Sequence, residues 1–353
     1  MKHAVEIVDA GIANAVQDRG RRGWRQFGVP VSGAADALLL AAANRLLGNA
    51  DADAAIEMPL AGPTLRATDG PVRVALMAAS AAALAARVVR ADGSTQPLPV
   101  AQTATLRRGD SIAVGAVREG VAYLALSGGC LVAPQLGSRS TYARARLGGI
   151  EGRALAAGDC IACAAPAGDL ESRARSALAH SDGPIRVIAG PQDDAFEPEA
   201  FTTLLAEPYV VGRDSDRMGL RLQGAKLAHR SGADIVSDGI APGAIQVPGD
   251  GLPIVLLADA QTVGGYTKIA TVIRADLPRL AHVRPGNRLR FAAVTRAQAF
   301  AALREQTQLL DRWSAAIETF RPAGSVDLEA LVCGNLVSGM IDADSAHLPW
   351  EGP

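Results

Sequence analysis

The sequence predicts a mainly β fold with some α structure, arranged as two β-barrels in series with flanking helices. Three observations carry this. One element recurs in TLRRGDSIAV, ALAAGDCIAC and HVRPGNRLRF, each placing Gly-Asp or Gly-Asn before an alternating strand. A Gly supplies positive φ, an Asp or Asn bonds its own backbone, and such tight entries suit closed barrels. Two copies precede residue 170 and one follows it. Second, most of the chain reads as short strands between Gly, Pro and Asp turns. Third, the polar stretch PAGDLESRARSALAHSDGP, from Pro166 to Pro184, separates the two halves.

Taken in order, the first unit spans 1–180 and includes a polar loop and a helix over Gly33–Leu47, where Ala and Leu favour helix and Gly48-Asn49 stop it. The second unit spans 181–320. It has a short helix after Pro198 and a long one entered at Thr295, whose T-x-x-Q spacing to Gln298 is a capping box and whose pattern runs toward Phe320. Residues 321–353 read as a linker and tail.

Composition narrows the function classes. The 353 residues are 49% hydrophobic and 20% charged, with net charge -1, so the chain is globular and gives no support for nucleic-acid or membrane-surface binding. The longest charge-free apolar stretch, Val74–Ala86, is shorter than the ~20 residues of a membrane span. Glu6 and Asp9 stand where a signal peptide is apolar, which predicts a cytoplasmic protein. The C-x-x-C of Cys160 and Cys163 lacks a second pair, and on a strand its side chains point to opposite faces. No metal site is expected.

Three segments carry more polar residues and glycine than packing requires. VQDRGRRGWRQFGVPVSGAAD (16–36) gathers Gln17, Asp18, Arg19, Arg21, Arg22 and Asp36 with several glycines. In RDSDRMGLRLQG (213–224), Arg217 and Arg221 are four apart, which on a strand puts both on one face as an anion clamp. In the third, Gln246 precedes the apolar strand PIVLLAD, which delivers Asp259, Gln261, Gly264, Gly265, Tyr266 and Lys268. Gln261 can pair with an amide edge, Lys268 can stabilise charge on its oxygen, and Asp259 can serve as base or orient the lysine. The competing reading is an Asp259–Lys268 ion pair flanking a hairpin.

Seven motifs in order, from VQDRGRRGWRQFGVPVSGAAD through AANRLLGN, AAIEMPLAGP, GGCLVAPQLGSRSTY, LGGIEGRALAAGD and SDRMGLRLQG to LADAQTVGGYTKIATVIRADLPRLA, resemble the KipA/PxpC family, also called allophanate hydrolase or urea amidolyase subunit 2. The resemblance implies cyclophilin-like barrels and an ATP-dependent 5-oxoprolinase complex with KipI/PxpB-like and PxpA-like subunits. The substrate would be a small-molecule amide, with Gln17 and Arg19 joining the binding set above. Related members are biotin-dependent carboxyltransferase subunits acting on urea, and the KipA name implies a regulator binding a KipI-type inhibitor. Two positions depart from the family pattern: His282 stands for a glutamine and Asn287 for an aspartate. The chain carries no phosphate loop, no biotin-accepting lysine and no G-x-S-x-G, so ATP would be handled elsewhere in the complex and the chain alone is expected to be inactive.

Overall fold

The computed structural model describes residues 3–321. The fold is mostly β, built from barrel-like sheets, with four α-helices among the described residues. A six-stranded sheet runs in the order Cys160–Cys163, His3–Asp9, Thr64–Asp69, Ser111–Val114, Ala86–Val89, Thr95–Leu98. It faces a seven-stranded sheet ordered Ala15–Gln17, Ala55–Met58, Ala122–Leu126, Val72–Ala78, Gln102–Leu106, Glu171–Arg173, Glu318–Phe320. Alternating side chains such as Val5, Ile7, Ile56, Leu65, Leu76 and Leu124 fill the space between them. An eight-stranded sheet, whose middle is Gly219–Gln223, Ile254–Leu256, Ala244–Gln246, Lys268–Val272 and Ile185–Ala189, wraps a second core around Val187, Tyr209, Ile245, Val255 and Ile269. A separate two-stranded ribbon, Asp234–Gly239 with Val263–Tyr266, stands off this sheet.

The three recurrent elements fold alike. Gly109, Gly158 and Gly286 all have φ of 88–89°. Asp110, Asp159 and Asn287 each accept a hydrogen bond from the backbone N–H three residues earlier, at 3.0, 2.7 and 2.8 Å. Asn287 therefore makes the same turn bond as Asp110 and Asp159, because one carbonyl-type oxygen suffices for this turn.

The helices are α1 (Ala37–Leu46), α2 (Pro198–Ala206), α3 (Leu277–Leu280) and α4 (Arg296–Ala315). Helix α1 starts later than Gly33 because Asp36 takes the N-cap, accepting from the N–H groups of Leu38 and Leu39. Its face of Leu39, Leu40 and Ala42 covers the outer side of the seven-stranded sheet. Helix α4 begins with the full Thr295–Gln298 capping box and stops at Ala315. The helical pattern does not reach Phe320, because Glu318–Phe320 is captured as an edge strand by Glu171–Arg173. Leu310 and Trp313 of α4 pack with α1 on the first unit, while Ala302 packs against Ile273 and Ala275 of the second, so this helix spans both. No helix among the described residues is long and apolar enough to cross a membrane. The tail over 322–353, with Cys333, lies outside the described residues.

Candidate functional site

The strand PIVLLAD and the loop 16–36 meet where the two barrels touch. Ser32 adopts a left-handed conformation (φ 54°), and its N–H donates to Ala258 O at 2.9 Å. Its hydroxyl donates to Asp259 Oδ1 at 2.7 Å. Arg217 is the centre of this contact. Its Nε donates to Asp259 Oδ2 at 2.8 Å, its Nη2 to Gly33 O at 2.6 Å, and its Nη1 pairs with Glu57 of the first barrel. Glu57 Oε2 accepts from Tyr123 at 2.6 Å and from Ala35 N at 2.7 Å. These carboxylates are nearly buried, and each oxygen has a donor, as a low-dielectric site demands.

Next to it Asp36, fully buried, accepts from His180 Nε2 at 2.6 Å and His282 Nε2 at 2.7 Å. Burial opposes ionisation of Asp36, yet the two imidazoles outweigh it and hold its pKa well below the usual carboxylate range. For His180, burial lowers the pKa but the Asp36 charge more than reverses this, and the net shift is upward. The three groups present ligand atoms within 4.8 Å of one another. Their 2.6 and 2.7 Å contacts are hydrogen-bond lengths, shorter than the roughly 3.3 Å edge of a tetrahedral zinc site with ~2.05 Å bonds. The trio is a hydrogen-bonded clamp joining α1, the inter-unit segment and the turn after α3. His282 supplies one of its two donors. Gly120 beside it tolerates no side chain, because a β-carbon there would collide with the His282 ring.

The remaining predicted residues lie under and on the ribbon. Lys268 is buried and its Nζ reaches Asp238 Oδ2 at 2.9 Å. Its backbone N–H donates to Gln192 Oε1 at 3.3 Å. Gln246 and Gln261 flank Gly264, where an added β-carbon would lie 3.0 and 3.6 Å from their Nε2 atoms. The glycine leaves room for both of these amides and for Ile240 Cδ1, which would lie nearer still, at 2.6 Å. Gly265 runs close to Ile235 O, and Tyr266 is exposed with its carbonyl near Gln246 Nε2 at 3.5 Å.

The structure thus gathers most of the predicted set in two places. Asp259 and Arg217 belong to the contact between the barrels. Lys268, Gln246, Gln261, Gly264, Gly265 and Tyr266 gather at the ribbon. The expected Asp259–Lys268 pairing does not form, because Arg217 and Asp238 supply each with a nearer partner of opposite charge. Nor do Arg217 and Arg221 share a face. The strand begins only at Gly219, so Arg217 sits in the preceding turn, while Arg221 points outward to solvent. Gln17 is buried and donates to Thr141 O at 3.1 Å; Arg19 is ion-paired with Asp51 at 3.3 Å on the surface.

Sequence reasoning missed Glu57, Tyr123 and the His180–Asp36–His282 clamp. A glutamate inside the apolar strand of AAIEMPLAGP was the signal for the first. It also passed over Arg25, which lines a groove of about 580 Å3 between its own turn and the ribbon, with Gln26, Ile240, Thr262 and Val263.

Residues 27–293, which include both sides of the Arg217 contact and the ribbon, match the family model of the carboxyltransferase domain, subdomains A and B. The chain belongs to that family. Within it, the chain is 36% identical over 313 residues to the C-type 5-oxoprolinase subunit of Haemophilus influenzae, covering 87% of this chain and 97% of that protein. It is 35% identical to the like-named protein of Escherichia coli, over 87% of this chain and 97% of that one. The crystal structure of the K. lactis urea amidolyase superposes with a TM-score of 0.79 at 28% identity, over 88% of this chain and 20% of that much longer chain.

Proposed function

We propose that this chain is the PxpC-type subunit of an ATP-dependent 5-oxoprolinase, which opens the lactam of 5-oxo-L-proline to L-glutamate together with KipI/PxpB-like and PxpA-like subunits. The observation that carries this reading is likeness along nearly the whole length of two proteins named as 5-oxoprolinase subunits. The ribbon site supports it chemically. A lactam presents a donor N–H beside an acceptor C=O, and the amides of Gln246 and Gln261, both near Gly264, can match both. Lys268, held by Asp238 at 2.9 Å, supplies a buried cation where negative charge develops on the amide oxygen. Asp259 acts here as a positioning residue, fixing Arg217 and the 16–36 loop, and not as the base. ATP is handled by a partner. The test is reconstitution: the isolated chain should leave 5-oxoproline intact, and turnover should appear only with all three subunits and ATP. Turnover by this chain alone would overturn the reading.

The superposition on urea amidolyase favours a second reading, a biotin-dependent carboxyltransferase subunit. The neutral ureido edge of biotin has the same donor–acceptor pattern as a lactam, so Gln246 and Gln261 would hold it equally well. Biotin-dependent carboxyl transfer to urea by an assembly containing this chain, without 5-oxoproline turnover, would decide for that reading.

A further inference from the structure

The half-buried arginines Arg217, Arg186 and Arg90 each come with an anion. Arg217 has Glu57 and Asp259, Arg186 has Asp276, and Arg90 has Asp110. Arg73 instead donates to the carbonyls of Ala167 and Gly168. Arg21 leaves two of its nitrogens without acceptors, but it bonds Ser140 O and lies in the field of Asp18 and Asp259. Arg25 differs from all of these. Both of its terminal nitrogens are shielded from water and have no hydrogen-bond partner among the described residues. Among those residues no carboxylate lines the groove beside it, whose walls include Gln26, Gly28, Ile240, Thr262 and Val263. Burial alone, with no compensating acid, lowers its pKa.

A planar guanidinium held out of water without a counter-ion is costly, and the natural remedy is an anion that accepts from both terminal nitrogens at once. The backbone there is built to hold the side chain in place. Arg25 opens a short turn closed by Gly28 in the left-handed conformation, with Gly28 N donating to Arg25 O at 3.0 Å. The groove, about 580 Å3, is of the size that takes a small molecule rather than a protein side chain. Its far wall, Thr262 and Val263, leads directly into Gly264, between the amides of Gln246 and Gln261.

We propose that Arg25 is the carboxylate anchor of the substrate site, gripping the acid group of a small amide-bearing carboxylic acid while the ribbon residues meet the amide. This rests on the 5-oxoprolinase reading for the identity of the acid. It assigns to Arg25 the clamp role that spacing alone had suggested for Arg217 and Arg221. Arg217 cannot take it, since its nitrogens are already engaged by protein oxygens.

The test has two arms. In the assembled complex, Arg25→Gln should raise the KM for 5-oxo-L-proline by about 10- to 100-fold, the worth of hydrogen bonds to a charged group, with the effect falling on KM more than on kcat. Arg25→Lys, which keeps the charge and guards against a folding failure, should raise KM less. An unchanged KM in both variants overturns the proposal and leaves the 5-oxoprolinase reading intact. The second arm is calorimetric binding to the isolated chain of 5-oxo-L-proline against neutral 2-pyrrolidone, which lacks the acid. The wild type should prefer the acid, and Arg25→Gln should abolish that preference. Equal affinity for the two in the wild type would sink the proposal, whether or not the complex turns over.

Discussion

Arg217, carried by the second barrel, is ion-paired with Glu57 on the Ala55–Met58 strand of the first, and the same guanidinium holds Asp259. One cation thus satisfies two nearly buried carboxylates from different parts of the chain. Replacing it leaves both charges uncompensated, whereas replacing a surface partner would cost little.

Arg217→Met should therefore lower unfolding stability by on the order of 3 kcal/mol, the low end for a broken buried pair because Arg217 keeps about a third of its side chain exposed. The Glu57→Gln, Arg217→Met double variant should recover part of that loss. Chemical denaturation of the three proteins measures both numbers, and a loss below about 0.5 kcal/mol for Arg217→Met would mean that the pair is worth no more than a surface contact.

Lys268 and Asp259 should separate in their effects. Lys268→Met keeps the unbranched stem and removes the ammonium, so the fold should survive while turnover of the reconstituted complex falls by ~10²–10³, as on deleting one oxyanion donor. Asp259→Asn should instead lower the thermal midpoint. Full turnover in Lys268→Met would place the chemistry elsewhere.

The clamp makes stability depend on pH with a defined sign. His180 has a raised folded pKa, so its contribution is complete below about pH 6.5 and fades as pH rises through the folded value. Asp36 is shifted down, so its contribution is lost only in acid, below the ordinary carboxylate range. Arg279 opposes the shift of His180 and Asp276 assists it. The thermal midpoint should decline as pH rises above about 6.5, and His180→Gln should flatten that decline and cost roughly 1.5–3 kcal/mol at about pH 6. The same slope in wild type and variant would show that His180 does not carry it.

The cysteines should differ in reactivity. Cys160 is exposed, whereas burial pushes the Cys163 thiol up to about 11 and raises that of Cys130 still further. Of the three described cysteines, alkylation at about pH 8 should label Cys160 first and leave the buried pair until the protein unfolds. Cys163→Ser should cost about 1–3 kcal/mol through a buried hydroxyl, and Cys160→Ser close to nothing. Labelling of Cys163 at the rate of Cys160 would contradict the placement.

Local structure was legible in the sequence where the chemistry is local. Thr295 and Gln298 form the capping box that their spacing announces, and each Gly-Asp or Gly-Asn makes its turn, because those preferences act over a few residues. The strand of Cys160 and Cys163 alternates as read, one side chain out and one in. What failed was pairing across distance. Nothing in the spacing of Asp259 and Lys268 reveals that Arg217 and Asp238 compete for them, and the four-residue spacing of Arg217 and Arg221 misled because the strand starts at Gly219. The clamp joins residues 36, 180 and 282, too far apart for any periodicity to connect. Arg25 was hidden in a motif whose many charges looked equivalent until their partners were known.

The edge pairing of Glu318–Phe320 with Glu171–Arg173 has a consequence for how the halves are tied. The chain leaves the first barrel at Arg173 and re-enters it at Glu318, and these two residues are directly opposite in the ladder. The second barrel is therefore a closed excursion with both ends fastened to one strand pair, not a bead on a string. A single cut in the segment 174–184 would leave the halves covalently joined through α4. Any rotation of one barrel against the other must bend two tethers at once.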